Sequence, residues 1–399
     1  MPRAIFIGGT GSHVGKTCFT LGWARYLREQ GEQVQVFKVG PDYLDPHHHV
    51  LATGRPCINL DMVMMSSSHI RDLLGHYGLG ASVILVEGMM GLFDGSRKSE
   101  ASSAALSKLL EMGVWLLFPG AALSHTAAAL LKGMKDFDPL VQYEGVIFNY
   151  VSSLRHANLL DQAASTAGIP FLGALPSDGS MSLPSRHLGL ALDEGTEDRI
   201  HQMASHIGSS LDTENLWHAM PSYSLPALRR RHKLSLAYGS PKRKILIARD
   251  EAFSFLYEAN VQRLRDLGSL QFFSPLRDRV IPEGTDLLYF PGGYPELYAR
   301  ELSGNWQLKE ALQRYHAGGG HIFGECGGAM YLGQGFQDEN QKNHAMVGIF
   351  SFQTKMIPRG MYLGYRRIRA SWGKEIWGHE FHYSHLVEVE SGEWVDWDV

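Results

Sequence analysis

Ile5-Phe6-Ile7-Gly8-Gly9-Thr10-Gly11-Ser12-His13-Val14-Gly15-Lys16-Thr17 begins as an apolar run, passes through a glycine-rich loop and leads into a helix-forming segment at 18–30. Strand, tight loop and helix N-terminus, in that order, are the context a P-loop requires. Glycines let the backbone approach phosphate oxygens, and the free N–H groups and dipole of the helix favour an anion. On this reading Gly9, Thr10, Gly11, Ser12, His13, Val14 and Gly15 line a nucleotide cradle. Lys16 reaches the β- and γ-phosphates, and the Thr17 hydroxyl holds Mg²⁺. The strict spacing of the motif calls for glycine at position 10, where this chain has Thr10. The loop specifies a nucleotide and leaves the reaction open.

Working outward, a strand at 34–39 runs into Gly40-Pro41-Asp42-Tyr43-Leu44-Asp45-Pro46-His47-His48-His49. Two carboxylates and an aromatic thereby sit at the carboxyl end of a strand, where open α/β sheets hold ligands. The aspartates suit turn formation and helix capping equally well. The three successive histidines do not share a face in helix or strand, which argues against a joint metal site. A buried-type strand at 83–86 ends in Glu87, and an acid at a strand tip is where a P-loop fold often keeps a Mg²⁺-binding or water-positioning carboxylate. Asp94, on the glycine-flanked loop beyond, reads as a turn residue or a substrate contact. Strands at 114–118, 145–149 (with Asn149 at its exit) and 171–176 bring the count to six. Alternation with helical patterns, such as 124–134, means a parallel, doubly wound sheet. Arg186 and His187, in the closing stretch 183–190, face a phosphate or an acidic substrate, or lie in a solvated loop.

The length of 399 residues suits two domains, and 44% hydrophobic with 20% charged residues is ordinary for a soluble globular chain. A formal charge of −4 gives no reason to expect nucleic-acid binding. Cys18, Cys57 and Cys326 are too few and too scattered for a disulfide framework or a zinc site. The N-terminus enters a strand without a signal peptide, and no apolar segment approaches the roughly 20 residues of a membrane span. The expectation is a cytoplasmic protein. Between 209 and 243 periodicity weakens, Pro221, Pro226 and Pro241 punctuate the chain, and the charge run at 229–233 suits a solvated face. The expected division is therefore a first domain at 1–208, a linker at 209–243 and a second domain at 244–399.

The second domain is a new α/β unit, with strands at 244–248 and 286–290 and a helix at 257–267. Its most informative piece is His321-Ile322-Phe323-Gly324-Glu325-Cys326-Gly327-Gly328-Ala329-Met330-Tyr331-Leu332. A strand ends, one cysteine occupies a tight turn and a helix begins, which is a nucleophile elbow carrying sulfur. The helix N-terminus is expected to lower the thiol pKa. The N–H of Gly327 and one from the Gly292-Gly293 loop, that of Gly293, are placed to form an oxyanion hole for acyl transfer.

The motifs G-T-x-S-x-V-G-K-T from Gly9, K-V-G-P-D-Y-L-D-P from Lys38, N-L-D from Asn59, V-E-G-M-M-G-L-F-D-G from Val86, L-P-S-R-H-L-G-L from Leu183, P-G-G-Y-P-E from Pro291, G-E-C-G-G-A-M-Y-L-G from Gly324 and G-H-E-F-H-Y-S from Gly378 occur in that order. Together they resemble the cobyrinic acid a,c-diamide synthase family. The resemblance implies a dethiobiotin-synthetase-like P-loop domain followed by a class I glutamine amidotransferase-like, flavodoxin-like α/β domain. It implies ATP- and glutamine-dependent amidation, through acyl phosphates, of two acetate side chains of a corrinoid. Carried over by motif, Gly15, Lys16 and Thr17 bind ATP and Mg²⁺, with Asn149 also on the nucleotide. Thr17, Asp45 and Glu87 surround the metal. Asp42, Tyr43, Leu44, Asp45, Asp94 and Arg186 lie toward the substrate, and Cys326 is the glutaminase nucleophile.

The implied partners are L-glutamine or ammonia and a tetrapyrrole acid, with no nucleic acid or membrane; a homodimer is compatible with them. Relatives that amidate nickel-sirohydrochlorin or sirohaem share the local motifs. A regulatory P-loop ATPase is the competing class. It calls for a second lysine early in the loop, where Gly11 and His13 stand, and leaves Cys326 without a use. One departure concerns the base. In the family the histidine partnering the cysteine lies downstream of G-H-E-F-H-Y-S, and here no histidine follows His385. The expectation is truncation or an impaired glutaminase, rather than replacement by His379 or His382.

Overall fold

The apolar run entering the loop forms β1 (Arg3–Gly9), buried from Ala4 onward, and the residues after the loop form α1 (Lys16–Glu29). The computed structural model describes residues 1–96, 99–179, 185–186, 189–190, 195–227, 243–357, 360–369, 373, 375–387 and 397–398. The chain divides into two units, Met1–Arg230 and Arg231–Val399.

The first unit continues through β2 (Val34–Val39), α2 (Asp45–Thr53), β3 (Ile58–Leu60), α3 (Ser67–Tyr77), β4 (Val83–Glu87), α4 (Ser103–Leu109), β5 (Val114–Pro119), α5 (Thr126–Phe137), β6 (Tyr143–Val151), α6 (Leu154–Ala167) and β7 (Phe171–Pro176). Two short strands, β8 (Ser185–Arg186) and β9 (Gly189–Leu190), precede α7 (Thr196–Ser210) and α8 (Thr213–Ala219). Strands β1 to β7 form one parallel sheet in the order β3-β2-β4-β1-β5-β6-β7. The expected doubly wound sheet is therefore present, with seven strands in place of six. The missed one, β3, is three residues long and gives no periodic signal of its own. Near-continuous apolar runs in β1, β4 and β5 reflect burial on both faces.

The expected linker starts too early. Ile200, Met203 and Ile207 of α7, then Leu211, Leu216 and Met220, join the core around Phe19, Trp23 and Trp115. Asp212 caps α8 through the Asn215 N–H at 2.9 Å. The Ala4 N–H donates to the Pro221 carbonyl, and the Tyr223 hydroxyl donates to the Leu110 carbonyl at 2.6 Å. Pro221 thus adds to the edge of the first unit rather than leaving it. Helix α8 is too short for its two apolar anchors to show a period. The 229–233 charge run lies outside the described residues.

In the second unit β10 (Arg243–Ala248), α9 (Glu258–Leu267), β11 (Gly268–Phe273), β12 (Leu287–Phe290), α10 (Ala299–Gly304), α11 (Trp306–Ala317), β13 (His321–Gly324) and α12 (Gly327–Leu332) follow one another. Their four strands are parallel in the order β11-β10-β12-β13, the 2-1-3-4 arrangement that begins a flavodoxin-like sheet. Beyond them, β14 (Gly335–Gln337), β15 (Asn343–Ala345), β16 (Gln353–Met356) and a later β19 (Ser384–Val387) make a mixed sheet. β17 (Tyr362–Arg369) and β18 (Glu375–His382) pair as an antiparallel ladder. Among the described residues no helix is long and apolar enough to cross a membrane.

Candidate active sites

In the first unit the loop between β1 and α1 is held from two sides. The Lys16 ammonium donates to the Gly11 carbonyl at 2.7 Å and to the Met90 carbonyl at 2.6 Å. Burial lowers its pKa to about 8, against the pull of Glu87. From the exit of β6, the Asn149 amide donates to the Val14 carbonyl at 3.1 Å and the Tyr150 hydroxyl to the His13 carbonyl at 3.0 Å. Asn149 Oδ1 accepts from the Tyr150 N–H at 2.9 Å. Asn149, expected on the nucleotide, thus gives its amide N–H to the loop and its amide oxygen to the next residue. Gly15 has φ 95°, and a Cβ there would stand 2.3 Å from Asn149 Nδ2. Only glycine satisfies both the left-handed backbone and that approach. Ser12 and His13 are exposed at the loop's outer edge.

Beside the loop lies a buried charge cluster. Parallel pairing of β2 with β4 sets Lys38 opposite Glu87. Lys38 Nζ is 2.5 Å from Glu87 Oε1, 2.5 Å from Asp45 Oδ2 and 3.9 Å from Asp42 Oδ2. The Thr17 hydroxyl donates to the same two oxygens, at 2.7 Å to Glu87 Oε1 and 3.2 Å to Asp45 Oδ2. The other oxygen of Glu87, Oε2, lies 2.8 Å from His49 Nε2. Burial opposes ionisation of Glu87, yet Lys38 and His49 outweigh it and hold the carboxyl well below the usual carboxylate range. Burial likewise works against the charge on Lys38, but Asp45, Glu87 and Asp42 raise its pKa well above the ordinary lysine value.

The structure brings Thr17, Asp45 and Glu87 together as expected, and their all-oxygen donor set suits a hard divalent cation. Asp42 forms an Asx turn leading into α2. Its Oδ1 accepts from the Leu44 N–H at 2.9 Å and the Asp45 N–H at 3.0 Å, and burial with the Asp45 charge raises it to about 6. Of the aspartate pair, Asp42 sits in the turn and Asp45 faces the charge cluster. Tyr43 and Leu44 are half-buried in the same turn. Asp94 Oδ2 accepts from the Gly91 N–H at 2.8 Å, which is the turn reading. The side chain of Arg186, and His187 altogether, lie outside the described residues. Lys38 and His49 were not singled out from the sequence. A lysine within the apolar run V-Q-V-F-K-V, and a histidine four residues after Asp45 and hence on its helix face, were the available signals.

In the second unit Cys326 stands between β13 and α12 with φ 48° and ψ −114°, the strained backbone of an elbow. Its surroundings desolvate the sulfur and push the thiol up to about 11, with Glu296 and Glu325 adding to the rise. The N–H groups of Gly327 and Gly293 face the thiol and pull the other way. The expectation of a lowered thiol pKa is corrected here: α12 has only six residues, and its N-terminal effect loses to desolvation and two acids. The two glycines expected to form the oxyanion hole lie close together, since a Cβ on Gly327 would be 3.1 Å from the Gly293 nitrogen. The residue itself is open to solvent on one side. His382 Nδ1 is 2.8 Å from the Ser384 carbonyl and its Nε2 is 3.7 Å from Glu380 Oε2, so local contacts account for both ring nitrogens.

A nucleotide-cradling unit and a cysteine-elbow unit in one chain define a class, the glutamine-dependent amide ligases. Residues 5–190 match the CobQ/CobB/MinD/ParA nucleotide binding domain, and residues 244–395 match the CobB/CobQ-like glutamine amidotransferase domain. The chain is 39% identical over 403 aligned residues to the hydrogenobyrinate a,c-diamide synthase of Brucella abortus biovar 1, covering 98% of this chain and 91% of that one. It is 39% identical to the cobyrinate a,c-diamide synthase of Syntrophotalea carbinolica (97% and 86% covered) and 39% identical to the hydrogenobyrinate a,c-diamide synthase of Stutzerimonas stutzeri (96% and 87%). The chain belongs to the cobyrinate and hydrogenobyrinate a,c-diamide synthase family.

Proposed function

We propose that this protein amidates the a and c acetate carboxylates of cobyrinic or hydrogenobyrinic acid in cobalamin biosynthesis, using ATP, Mg²⁺ and glutamine. The reaction belongs in the cytoplasm, where ATP and glutamine are supplied. The observation that carries the reading is the convergence of Thr17, Asp45 and Glu87 beside Lys16, in a chain that also holds Cys326 against two glycine N–H groups.

A carboxylate is a poor electrophile until its oxygen receives the terminal phosphoryl group of ATP, giving an acyl phosphate from which phosphate departs. Lys16 and the loop N–H groups offset the charge that spreads over the phosphoryl oxygens. Thr17, Asp45 and Glu87 would hold Mg²⁺, which would supply further charge neutralisation. The nitrogen comes from the second unit. Cys326 gives up its thiol proton and attacks the glutamine carboxamide carbon, the oxyanion faces the Gly293 and Gly327 N–H groups, and the C–N bond breaks as the nitrogen takes up a proton and leaves as ammonia. Water then hydrolyses the thioester to glutamate and restores the thiol. Ammonia attacks the acyl phosphate, forming the amide and expelling phosphate.

The test is mass spectrometry of cobyrinic, hydrogenobyrinic and sirohydrochlorin-type acids after incubation with ATP, Mg²⁺ and either glutamine or an ammonium salt. Two successive mass decreases, each that of OH replaced by NH₂, are expected with a corrinoid. Turnover with glutamine equal to or above that with ammonium rejects an impaired glutaminase. Failure of every tetrapyrrole to stimulate ADP release overturns the proposal. Sedimentation of the same preparation tests whether it forms a homodimer.

A further inference from the structure

Imidazole at position 49 is buried to 0% exposure, packed against a carboxylate that is also 0% exposed. Its Nε2 lies 2.8 Å from Glu87 Oε2, a close contact rather than an aligned hydrogen bond, and among the described residues its Nδ1 has no hydrogen-bond partner. A buried polar ring with one close contact is a poor way to stabilise a core, where leucine or methionine costs no desolvation. The position of that contact is informative. Glu87 Oε1 carries the Thr17 and Lys38 contacts, and Oε2 is the oxygen left for His49. A carboxylate fixed at one oxygen still turns about its last bond; fixed at both, it does not. Asp45 and His49 lie four residues apart on α2, on one face, so docking of that helix sets both groups at Glu87 together.

We infer that His49 is a positioning residue: it holds the rotation of Glu87 so that Oε1 points at Thr17, where the metal–nucleotide complex would be bound. This rests on the proposed use of ATP and Mg²⁺. Outer partners of this kind change metal affinity by about 10–100-fold when removed.

The test is calorimetric titration of the full chain with ADP, in EDTA and across a series of MgCl₂ concentrations. His49→Leu is expected to weaken the Mg²⁺ enhancement of ADP binding by about 10–100-fold while leaving binding in EDTA unchanged. His49→Gln, whose amide nitrogen approximates the Nε2 position, restores the enhancement. His49→Asn, which approximates Nδ1, does not. If His49→Leu fails to fold, the difference between the Gln and Asn variants decides. A folded leucine variant with the parental Mg²⁺ dependence, a parallel loss in EDTA, or equal rescue by Gln and Asn overturns the inference alone. Absence of ADP binding by the parent overturns the ligase reading and this inference with it.

Discussion

Lys38→Met keeps the length and apolar stem of the side chain and deletes only the ammonium. That ammonium is within 2.5 Å of Asp45 and of Glu87, 3.9 Å from Asp42, and belongs to a side chain only 4% exposed. Removing one member of a buried ion pair costs about 3–5 kcal/mol, because the surviving charge keeps its burial penalty. Lys16 stays nearby to offset part of the excess negative charge, so about 3 kcal/mol is expected. At about 2–4 °C per kcal/mol for a unit of this size, the first unit should melt roughly 6–12 °C lower. The assay is scanning calorimetry in Mg²⁺-free buffer. The two units need not melt together, and the transition of the first is identified by its upward shift with ADP.

The pH dependence has a definite sign. Burial pushes the Glu87 carboxyl up, and Lys38 is the largest influence holding it down. Without that lysine the folded-state carboxyl rises. A carboxyl raised on folding binds its proton more tightly in the folded state, so the variant gains stability relative to the parent as pH falls. The gap should therefore narrow between about pH 8 and about pH 5. A variant within about 1 kcal/mol of the parent at the alkaline end, or a gap that widens toward acid, would refute the charge-cluster reasoning.

Gly15→Ala forces a Cβ to within 2.3 Å of Asn149 Nδ2 at a positive φ, so ADP affinity should fall by at least about tenfold while the first unit still folds. Parental affinity in a titration would show that the loop tolerates the side chain. Cys326→Ala should abolish glutamine-supported amidation and leave ammonium-supported amidation unchanged; loss of both would place Cys326 outside a separable glutaminase. Alkylation of Cys326, followed by peptide mapping to separate it from half-buried Cys18 and buried Cys57, should accelerate about tenfold per pH unit and level off only near about 11. A plateau near neutrality would mean that a base reaches the sulfur.

The sheet and both site loops were legible because their signals are local. An apolar run, a glycine turn and a helix start within a dozen residues fixed β1, the loop and α1, and the same sequence of features fixed Cys326. What escaped depends on distance. Lys38 is ordinary until β2 pairs with β4 and sets it opposite Glu87, and His49 is one histidine of three until α2 docks. Asn149 reads as a polar residue at a strand exit, placed on the nucleotide; its amide is committed to a carbonyl 135 positions earlier in the chain. The thiol was misjudged because the helix start is visible in sequence, whereas desolvation and the approach of Glu296 are not.

The two units prepare their chemistry by different physical means. In the first, two carboxylate oxygens are shared by a hydroxyl and an ammonium drawn from α1 and β2, so the arrangement is held by charge and is sensitive to any change of charge. Phosphoryl transfer needs this, because its barrier is lowered mainly by placing fixed charges where negative charge spreads. In the second, the reactive sulfur is placed by backbone alone, a strained residue between two glycine N–H groups, with a thiol pKa well above neutrality. A thiol held protonated is a resting nucleophile. On the proposed reading it needs a proton acceptor before it attacks the glutamine carboxamide.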